Sequence, residues 1–199
     1  MNLLTGKNIV VYDLEIQNVI DGKKITWADH DKMGLSVGCL FDYETGDYSI
    51  YFEKDRHALA ERLNRAALIV AFNQIGFDNV LLRAIGTYLK PDSELSNYDM
   101  LLESRKAVGW KGGRFPSGLK LDNHLESTFG KSLMKTEHGS QAPVMWQEGK
   151  IGEVTSYCLA DVRREKMLFE HIVNKGWAST EAYGKRFFEL DSINKVLAR

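Results

Sequence analysis

The sequence predicts one domain of the α/β class, and three observations support this prediction. The chain has 199 residues, 44% of them hydrophobic and 27% charged, which is enough for one α/β domain with a real core. Two apolar runs, residues 9–15 (IVVYDLE) and 66–72 (AALIVAF), have the length and composition of buried strands. Between and after them, apolar residues recur at the spacing of amphipathic helices.

The first half of the chain predicts a strand, a hairpin and a helix. After the strand over 9–15, a polar stretch over 17–33 is interpreted as a loop insertion. Residues 34–43 (GLSVGCLFDY) and 48–53 (YSIYFE) predict two strands, because the Gly-Asp pair between them suits a tight turn. A helix is then predicted over 55–65, since its apolar residues lie four apart.

The second half alternates further strands with helices. The run over 66–72 predicts a buried parallel strand. Apolar residues at helical spacing predict a helix over 77–89, and a short strand near 98–102 leads into another helix. A long helix is predicted over 151–174.

Composition indicates an ordinary globular protein. The formal net charge of −1 argues neither for nor against a polyanionic partner. No apolar run approaches membrane-spanning length and the N-terminus MNLLTGKN lacks a signal-peptide pattern, so we expect no membrane association and a cytoplasmic location. Cys39 and Cys158 fall in apolar segments and are interpreted as small core residues.

Two carboxylates end the first predicted strand. Asp13 and Glu15 are two positions apart, and side chains two apart in a strand point to the same face. Like charges side by side repel, so one would take up a proton unless a cation, most simply a divalent metal, holds both ionised. Because Asp-x-Glu is common by chance, a polar strand end is the alternative unless other carboxylates join the pair.

A second polar cluster, NQIGFD at 73–78, follows the strand over 66–72. Loops at the carboxyl ends of parallel strands are where α/β folds place ligands, and this loop delivers Asp78 to the first turn of a helix. The helix dipole there favours an ionised carboxylate, although Asp78 could simply cap the helix. Asp99 lies near another strand end, where it could support the site or cap a helix.

A third pair lies in the long helix over 151–174. Tyr157 and Asp161 are four positions apart, so the hydroxyl and the carboxylate share one helical face. Their neighbours form an apolar stripe that would dock the helix on the sheet. An acidic residue beside such a stripe is usually a solvated flank, but Asp161 would be the fourth carboxylate of a set.

Together the three motifs resemble those of the DEDD 3′→5′ exonucleases. That family carries Asp-x-Glu on a first strand, Asn-x-x-x-Phe-Asp after a later strand and Tyr-x-x-x-Asp on a late helix, in the order found here. The tyrosine form is implied, because Tyr157 precedes Asp161 by four positions and Ser156 stands where the histidine form carries its histidine. The strings YCLADV and LKLDNHL are similar to those of family B DNA polymerase proofreading domains and of small helicase-associated RNase H-like exonucleases.

The resemblance implies an RNase H-like fold over residues 1–175. Its mixed sheet would have three antiparallel strands first and later strands parallel to the first, with helices on both faces. The insertion over 17–33 and the tail over 176–199 have no counterpart in the family, and the tail is expected to be a C-terminal extension. No polymerase or helicase segment is attached, so such a protein is expected as a partner.

The resemblance also implies the chemistry. Two Mg²⁺ or Mn²⁺ ions would be held by four carboxylates, those of Asp13, Glu15, Asp78 and Asp161. Tyr157 would position or help to deprotonate the attacking water. The implied activity is hydrolysis of phosphodiester bonds from the 3′ end of nucleic acid, with single-stranded DNA favoured and RNA possible, and release of nucleoside monophosphates.

Substrate contacts are expected in two places. In the 73–78 loop, Asn73 could bond a phosphate or sugar and Phe77 could wedge beside the terminal base, with turn shaping and core packing as the alternatives. Over 105–135, basic residues are interleaved with aromatic ones, a pattern that suits a single strand. This segment has seven basic residues against two acidic ones, whereas residues 1–60 have six against ten. The basic residues are Arg105, Lys106, Lys111, Arg114, Lys120, Lys131 and Lys135.

From this basic segment we predict that Lys111, Arg114 and Lys120 bind the strand, and a solvated connector is the alternative. Two rival functions also stay open. A structure-selective RNase H-like endonuclease would gather the same carboxylates but would not need Tyr157. A catalytically silent nucleic-acid-binding or polymerase-accessory module is disfavoured, because no expected ligand is missing.

Overall fold

The computed structural model describes residues 3–130 and 141–198 around a five-stranded sheet. The strands of this sheet are β1 (Ile9–Ile16), β2 (Leu35–Asp42), β3 (Asp47–Phe52), β4 (Leu68–Ala71) and β5 (Asn97–Asp99). They lie in the order β3, β2, β1, β4, β5. The strand that carries the first two carboxylates is therefore in the middle of the sheet.

The pairing of the strands is mixed. β1 pairs antiparallel with β2, and β2 pairs antiparallel with β3. β4 lies parallel to β1 on its other side, and β5 lies parallel to β4. The prediction of three antiparallel strands followed by strands parallel to the first is confirmed.

Helices cover both faces of the sheet. The helices are α1 (His30–Met33), α2 (Arg56–Arg65), α3 (Asp78–Ala84), α4 (Met100–Ala107), α5 (Leu121–Phe129), α6 (Ala142–Gln147), α7 (Ile151–Lys175) and α8 (Asp191–Leu197). Short 3₁₀ turns occur at Glu53–Asp55 and Asp92–Glu94. The helices predicted over 55–65 and 151–174 are confirmed as α2 and α7. The helix predicted over 77–89 ends earlier, because Gly86 adopts a positive φ of 81° after α3.

Alternate residues of β1 supply two separate cores. Ile9 and Val11 belong to the core under α7, where they pack with Val162 and Phe169. The intervening residues of β1, from Val10 to Ile16, belong to the core under α2 and α3. Because side chains alternate along a strand, the odd-numbered positions of β1 face α7. Asp13 and Glu15 continue this odd-numbered row.

The insertion over 17–33 is more ordered than a simple loop. It contains α1, and Met33 at the end of that helix is fully buried in the core under α2 and α3. Asn18 donates a hydrogen bond from its side chain to the carbonyl of Lys32, at 2.8 Å. This hydrogen bond joins the two ends of the insertion, and Met33 anchors it in the core.

The tail forms a small hairpin and a helix. The hairpin consists of β6 (Trp177–Thr180) and β7 (Gly184–Phe187), and α8 follows it. Phe188, Ile193 and Val196 are buried in the same core as Ile9 and Val11 of β1. The segment beyond residue 175 thus packs against the central sheet.

Within the described residues, no helix is both long and apolar enough to cross a bilayer. Cys39 and Cys158 are both buried and free, as predicted.

Candidate active site

Three carboxylates meet where the odd-numbered row of β1 faces α7. Asp13 and Glu15 project from the strand, and Asp161 comes from the middle of the helix. One oxygen from each carboxylate lies within 4.8 Å of the other two. Glu15 and Asp161 are buried, and Asp13 is half-buried. The structure therefore brings together three of the four predicted metal ligands.

Asp13 is the carboxylate of this cluster whose charge the described residues compensate poorly. Burial raises the pKa of Asp13 well above its ordinary value, and the charges of Glu15, Glu165, Asp161 and Asp78 raise it further. Its Oδ2 atom is shielded from water and has no hydrogen-bond partner among the described residues. A buried carboxylate oxygen without a partner is costly, and a cation would offset that cost. The three carboxylates could hold a metal ion that prefers oxygen ligands.

Asp78 lies next to this cluster rather than inside it. It is buried in the first turn of α3, and burial raises its pKa to about 7. Hydrogen bonds from its own N–H and from the N–H of Leu14 oppose this rise. Leu14 stands between Asp13 and Glu15 on β1. Its hydrogen bond therefore places the Asp78 carboxylate against this strand. Its negative charge reaches Asp13 and contributes to the raised pKa there.

The loop that carries Asp78 is held by Asp99. The carboxylate of Asp99 accepts hydrogen bonds from the N–H groups of Asn73 at 3.0 Å and Ile75 at 3.1 Å. It also accepts from Leu101 and Leu102, so it caps α4 at the same time. The interpretation of Asp99 as a helix cap is therefore confirmed, and support of a functional site stays a prediction.

Asn73 shapes the turn before α3. It has a φ of 79°, the left-handed region that asparagine tolerates better than most residues. Its carbonyl accepts hydrogen bonds from the N–H groups of Gly76 and Phe77, both at 3.0 Å. A Cβ on Gly76 would lie only 2.7 Å from the side-chain oxygen of Asn73, so a larger residue at position 76 would displace that side chain. Turn shaping is thus shown, and contact with a substrate stays a prediction.

Tyr157 is buried one helical turn before Asp161, in the core under α7. The next residue, Cys158, donates a hydrogen bond from its sulfur to the main-chain oxygen of Asp13 at 3.3 Å. This contact places Cys158 of α7 directly against Asp13 of β1. Tyr157 and Asp161 are accordingly placed on the helix at the level of the carboxylate cluster.

Two residues that the sequence analysis did not select also belong here. Glu165 lies one turn after Asp161, is 2% exposed, and accepts a hydrogen bond from the N–H of Phe72 at 3.2 Å. Arg164 donates to Asp161 at 3.0 Å and also donates to Asp122 of α5. Spacing along α7 could have identified Glu165, because positions 157, 161 and 165 share one helical face. The partners of Arg164 depend on tertiary contacts.

Between α4 and α5 the basic segment is irregular and largely exposed. Lys111, Arg114 and Lys120 are exposed, whereas Lys131 and Lys135 lie outside the described residues. The guanidinium of Arg105 stacks 3.9 Å from the centre of the Phe115 ring, and Trp110 packs 5.1 Å from the same ring. Phe115 is nevertheless 57% exposed. Strand binding by this segment stays a prediction.

Two neighbouring clefts share Trp27 and Asn73 as lining residues. The first cleft, of about 560 Å³, contains Glu15 of the carboxylate cluster together with Phe77. The second cleft, of about 660 Å³, contains Arg105 and Lys120. Phe77 is half-buried against the core under α2 and α3, and it also faces the first cleft.

No protein-family model matches the sequence, and no curated protein does. Among solved structures, the chain is similar to the family B DNA polymerase from the hyperthermophilic archaeon Pyrobaculum calidifontis, with a TM-score of 0.59 and 16% sequence identity. The match covers 83% of this chain and 24% of the polymerase, so the chain spans about a quarter of the length of that protein. At this identity the similarity is one of fold.

Proposed function

We propose that the protein has an RNase H-like fold and is a metal-dependent 3′→5′ exonuclease of the tyrosine DEDD type. The observation that carries the proposal is the cluster of Asp13, Glu15 and Asp161 between the central strand and α7, with Asp78 beside it. Its arrangement agrees with the order of the three sequence motifs. The similarity in fold to a DNA polymerase supports the proposal further.

Two Mg²⁺ or Mn²⁺ ions are the proposed cofactors, and the cluster of carboxylate oxygens supports this choice. Hard divalent cations take carboxylate oxygens, and a pair of them stabilises both the attacking and the leaving oxygen of an in-line phosphoryl displacement. Asp13, Glu15, Asp78 and Asp161 would hold these ions.

The remaining residues act by positioning. Tyr157, on the same face of α7 as Asp161, would orient the attacking water through its hydroxyl. Arg164 fixes the rotamer of Asp161 through its hydrogen bond. Asp99 holds the backbone of the loop that presents Asp78.

The proposed substrate is nucleic acid, with single-stranded DNA favoured over RNA. The basic residues Lys111, Arg114 and Lys120 are exposed and available to phosphates. A polymerase or helicase partner and a cytoplasmic location stay predictions from the sequence.

A digestion assay tests the proposal. Single strands of DNA and RNA labelled at the 5′ end are incubated with and without Mg²⁺ or Mn²⁺, and a ladder of shortening products is expected only with metal. A circular single strand is the control, because an exonuclease cannot attack it. Cleavage of the circle would favour the endonuclease, and the absence of any metal-dependent cleavage would favour the silent binding module.

The matched variant is Asp13→Asn, which removes one carboxylate and preserves the shape of the side chain. Each tenfold loss of rate corresponds to about 1.36 kcal/mol of barrier, and loss of a metal should cost several such steps. The variant should stay folded and lose digestion. Unchanged digestion by the folded variant would falsify the site.

A further inference from the structure

The two clefts beside the carboxylate cluster differ in chemistry. Apart from Glu15, His30 and Asn73, the lining of the first cleft has no polar side chains. The second cleft contains the cations Arg105 and Lys120. Asp122 also lines it, but this carboxylate accepts a hydrogen bond from Arg164. Both volumes are in the range of sites that bind small ligands.

Trp27 lies where the two clefts meet. It comes from the insertion over 17–33 and is 70% exposed, which is unusual for such a large apolar side chain. The rings of Trp27 and Phe77 form a T-shaped pair, with 5.9 Å between the ring centres. The ring of His30 lies at the same distance from Phe77. An indole that is held by one ring contact and is largely exposed offers surface for stacking.

We propose that Trp27 divides the path of the substrate strand, so that the 3′-terminal nucleoside occupies the first cleft and the preceding nucleotide occupies the second. This inference rests on the proposed exonuclease function. The bond that such an enzyme breaks joins these two nucleotides, so the two nucleosides must lie on opposite sides of the carboxylate cluster. Glu15 places the cluster at the edge of the first cleft, and Trp27 and Asn73 mark its border with the second.

The charged residues of the two clefts indicate the direction in which the substrate strand runs. The terminal nucleoside ends in a hydroxyl group, and beyond the scissile phosphate it brings no further charge, so an apolar cleft suits it. The preceding nucleotides bring one phosphate each and need countercharge, which Arg105 and Lys120 supply in the second cleft. Stacking of the penultimate base on an aromatic ring is tolerant of sequence, as a general exonuclease requires.

A substrate that lacks one base tests whether Trp27 separates the last two nucleotides. Two single DNA strands are compared, one normal and one that lacks the base of the penultimate nucleotide. Stacking on an aromatic ring contributes to the binding of each base, so the wild-type protein should show kcat/KM about tenfold lower on the strand without that base. In Trp27→Ala the two strands should be cut at nearly equal rates, and Trp27→Phe should restore part of the difference.

Tyr88 provides the matched control. It is 83% exposed and lines neither cleft, so Tyr88→Ala should keep the wild-type difference between the two strands. An undiminished difference in Trp27→Ala would overturn the proposal. Because Trp27 is exposed, the variant should fold as the wild type does, and circular dichroism checks this.

Binding of the same two strands in Ca²⁺, followed by fluorescence anisotropy, separates this inference from the nuclease function. If the wild type binds both strands but cuts neither, the exonuclease function is refuted. The difference in affinity between the two strands, measured with and without Trp27→Ala, then still tests whether Trp27 separates the two nucleotides. If the wild type binds neither strand, both proposals fail.

Discussion

The hydroxyl of Tyr12 donates a hydrogen bond of 2.6 Å to Oδ1 of Asn79, and both side chains are fully buried. Tyr12 precedes Asp13 on β1, and Asn79 follows Asp78 on α3. One hydrogen bond on the far side of the sheet therefore links the two elements that carry these carboxylates. Asn79 is itself held from the other side, since its amide donates to Asp92 at 2.7 Å.

Tyr12→Phe should lower stability and weaken the site. The substitution leaves a buried acceptor on Asn79 without its donor, which costs about 1–3 kcal/mol. Chemical denaturation should show this loss, while digestion should fall less than in Asp13→Asn because every metal ligand is retained. Tyr88→Phe, at an exposed position, should change neither quantity. Equal stability of Tyr12→Phe and the wild type would show that the bond contributes nothing.

Tyr157→Phe should lower the rate of digestion and leave metal affinity almost unchanged. The ring keeps its packing in the core under α7, and only the hydroxyl is lost. Groups that take part in proton transfer contribute about 10²–10⁴-fold, and a group that only orients water should lie at or below the lower limit. Single-turnover rates and a metal titration separate the two effects. Wild-type turnover would reduce Tyr157 to a core residue and favour the endonuclease.

Glu165→Gln should stabilise the metal-free protein at neutral pH. The negative charge of Glu165 contributes to the raised pKa of Asp13, and glutamine removes that charge but keeps an oxygen to accept from Phe72. Repulsion between like charges in a partly buried site is worth roughly 1–3 kcal/mol. Thermal denaturation in a chelator measures the gain.

Glu165→Ala is the matched comparison for this variant. It removes the same charge together with the hydrogen-bond acceptor, so it should stabilise less than glutamine does. A lower melting temperature of Glu165→Gln would show that the carboxylate supports the fold.

His124 should make stability depend on pH below neutrality. The imidazole is 3% exposed and lies between the rings of Phe72 and Phe188, and burial lowers its pKa from 6.5 to about 4. Its neutral form contributes stability that is fully present above pH 6.5 and is lost as the pH falls towards 4. The complete loss amounts to roughly 3 kcal/mol.

Asp78 changes stability with pH in the direction opposite to His124. The contribution of His124 is therefore measured as the difference between His124→Phe and the wild type. The pKa of Asp78 is raised, so its contribution to stability falls as the pH rises from about 4 to about 7. Denaturation curves from pH 4 to 7 should diverge towards the acid end, with the variant losing less. His57→Phe, at an exposed position of α2, is the control. Parallel curves would contradict the assignment.

Replacement of Lys111 and Arg114 by alanine should weaken strand binding without altering metal dependence. Both side chains are exposed, and each neutralised phosphate of a single strand contributes roughly −0.7 to the log–log slope of affinity against salt. The double variant should flatten this slope by up to about 1.4. Affinities measured over a salt series give the slope. If the slope does not change, the segment is a connector and the strand is held elsewhere.

The sequence was sufficient to predict the sheet and to select three carboxylates that come together in the structure. Alternation along β1 places Asp13 and Glu15 on one face, and helical spacing places Tyr157 and Asp161 on one face of α7; both are local rules. The sequence could not show that the odd-numbered row of β1 faces α7. That pairing depends on packing between segments about 150 residues apart.

The structures of the insertion over 17–33 and the tail over 176–199 could not be predicted from local spacing rules. Trp27 lies in a polar stretch, and its contact with Phe77 exists only because α1 packs beside α3. The buried positions of the tail, such as Ile193, lack a clear period, and they become core only through contact with the sheet.

Trp27 belongs to the insertion over 17–33, whereas the clustered carboxylates belong to core elements. Substitutions in these two places should therefore affect the protein differently. The clustered carboxylates of Asp13, Glu15 and Asp161 lie on β1 and α7, the two elements that also form much of the core under α7. Trp27 is largely exposed, so its replacement should cost little stability. If Trp27 divides the substrate strand as proposed, substitutions in the insertion would alter substrate preference and leave the carboxylate cluster intact.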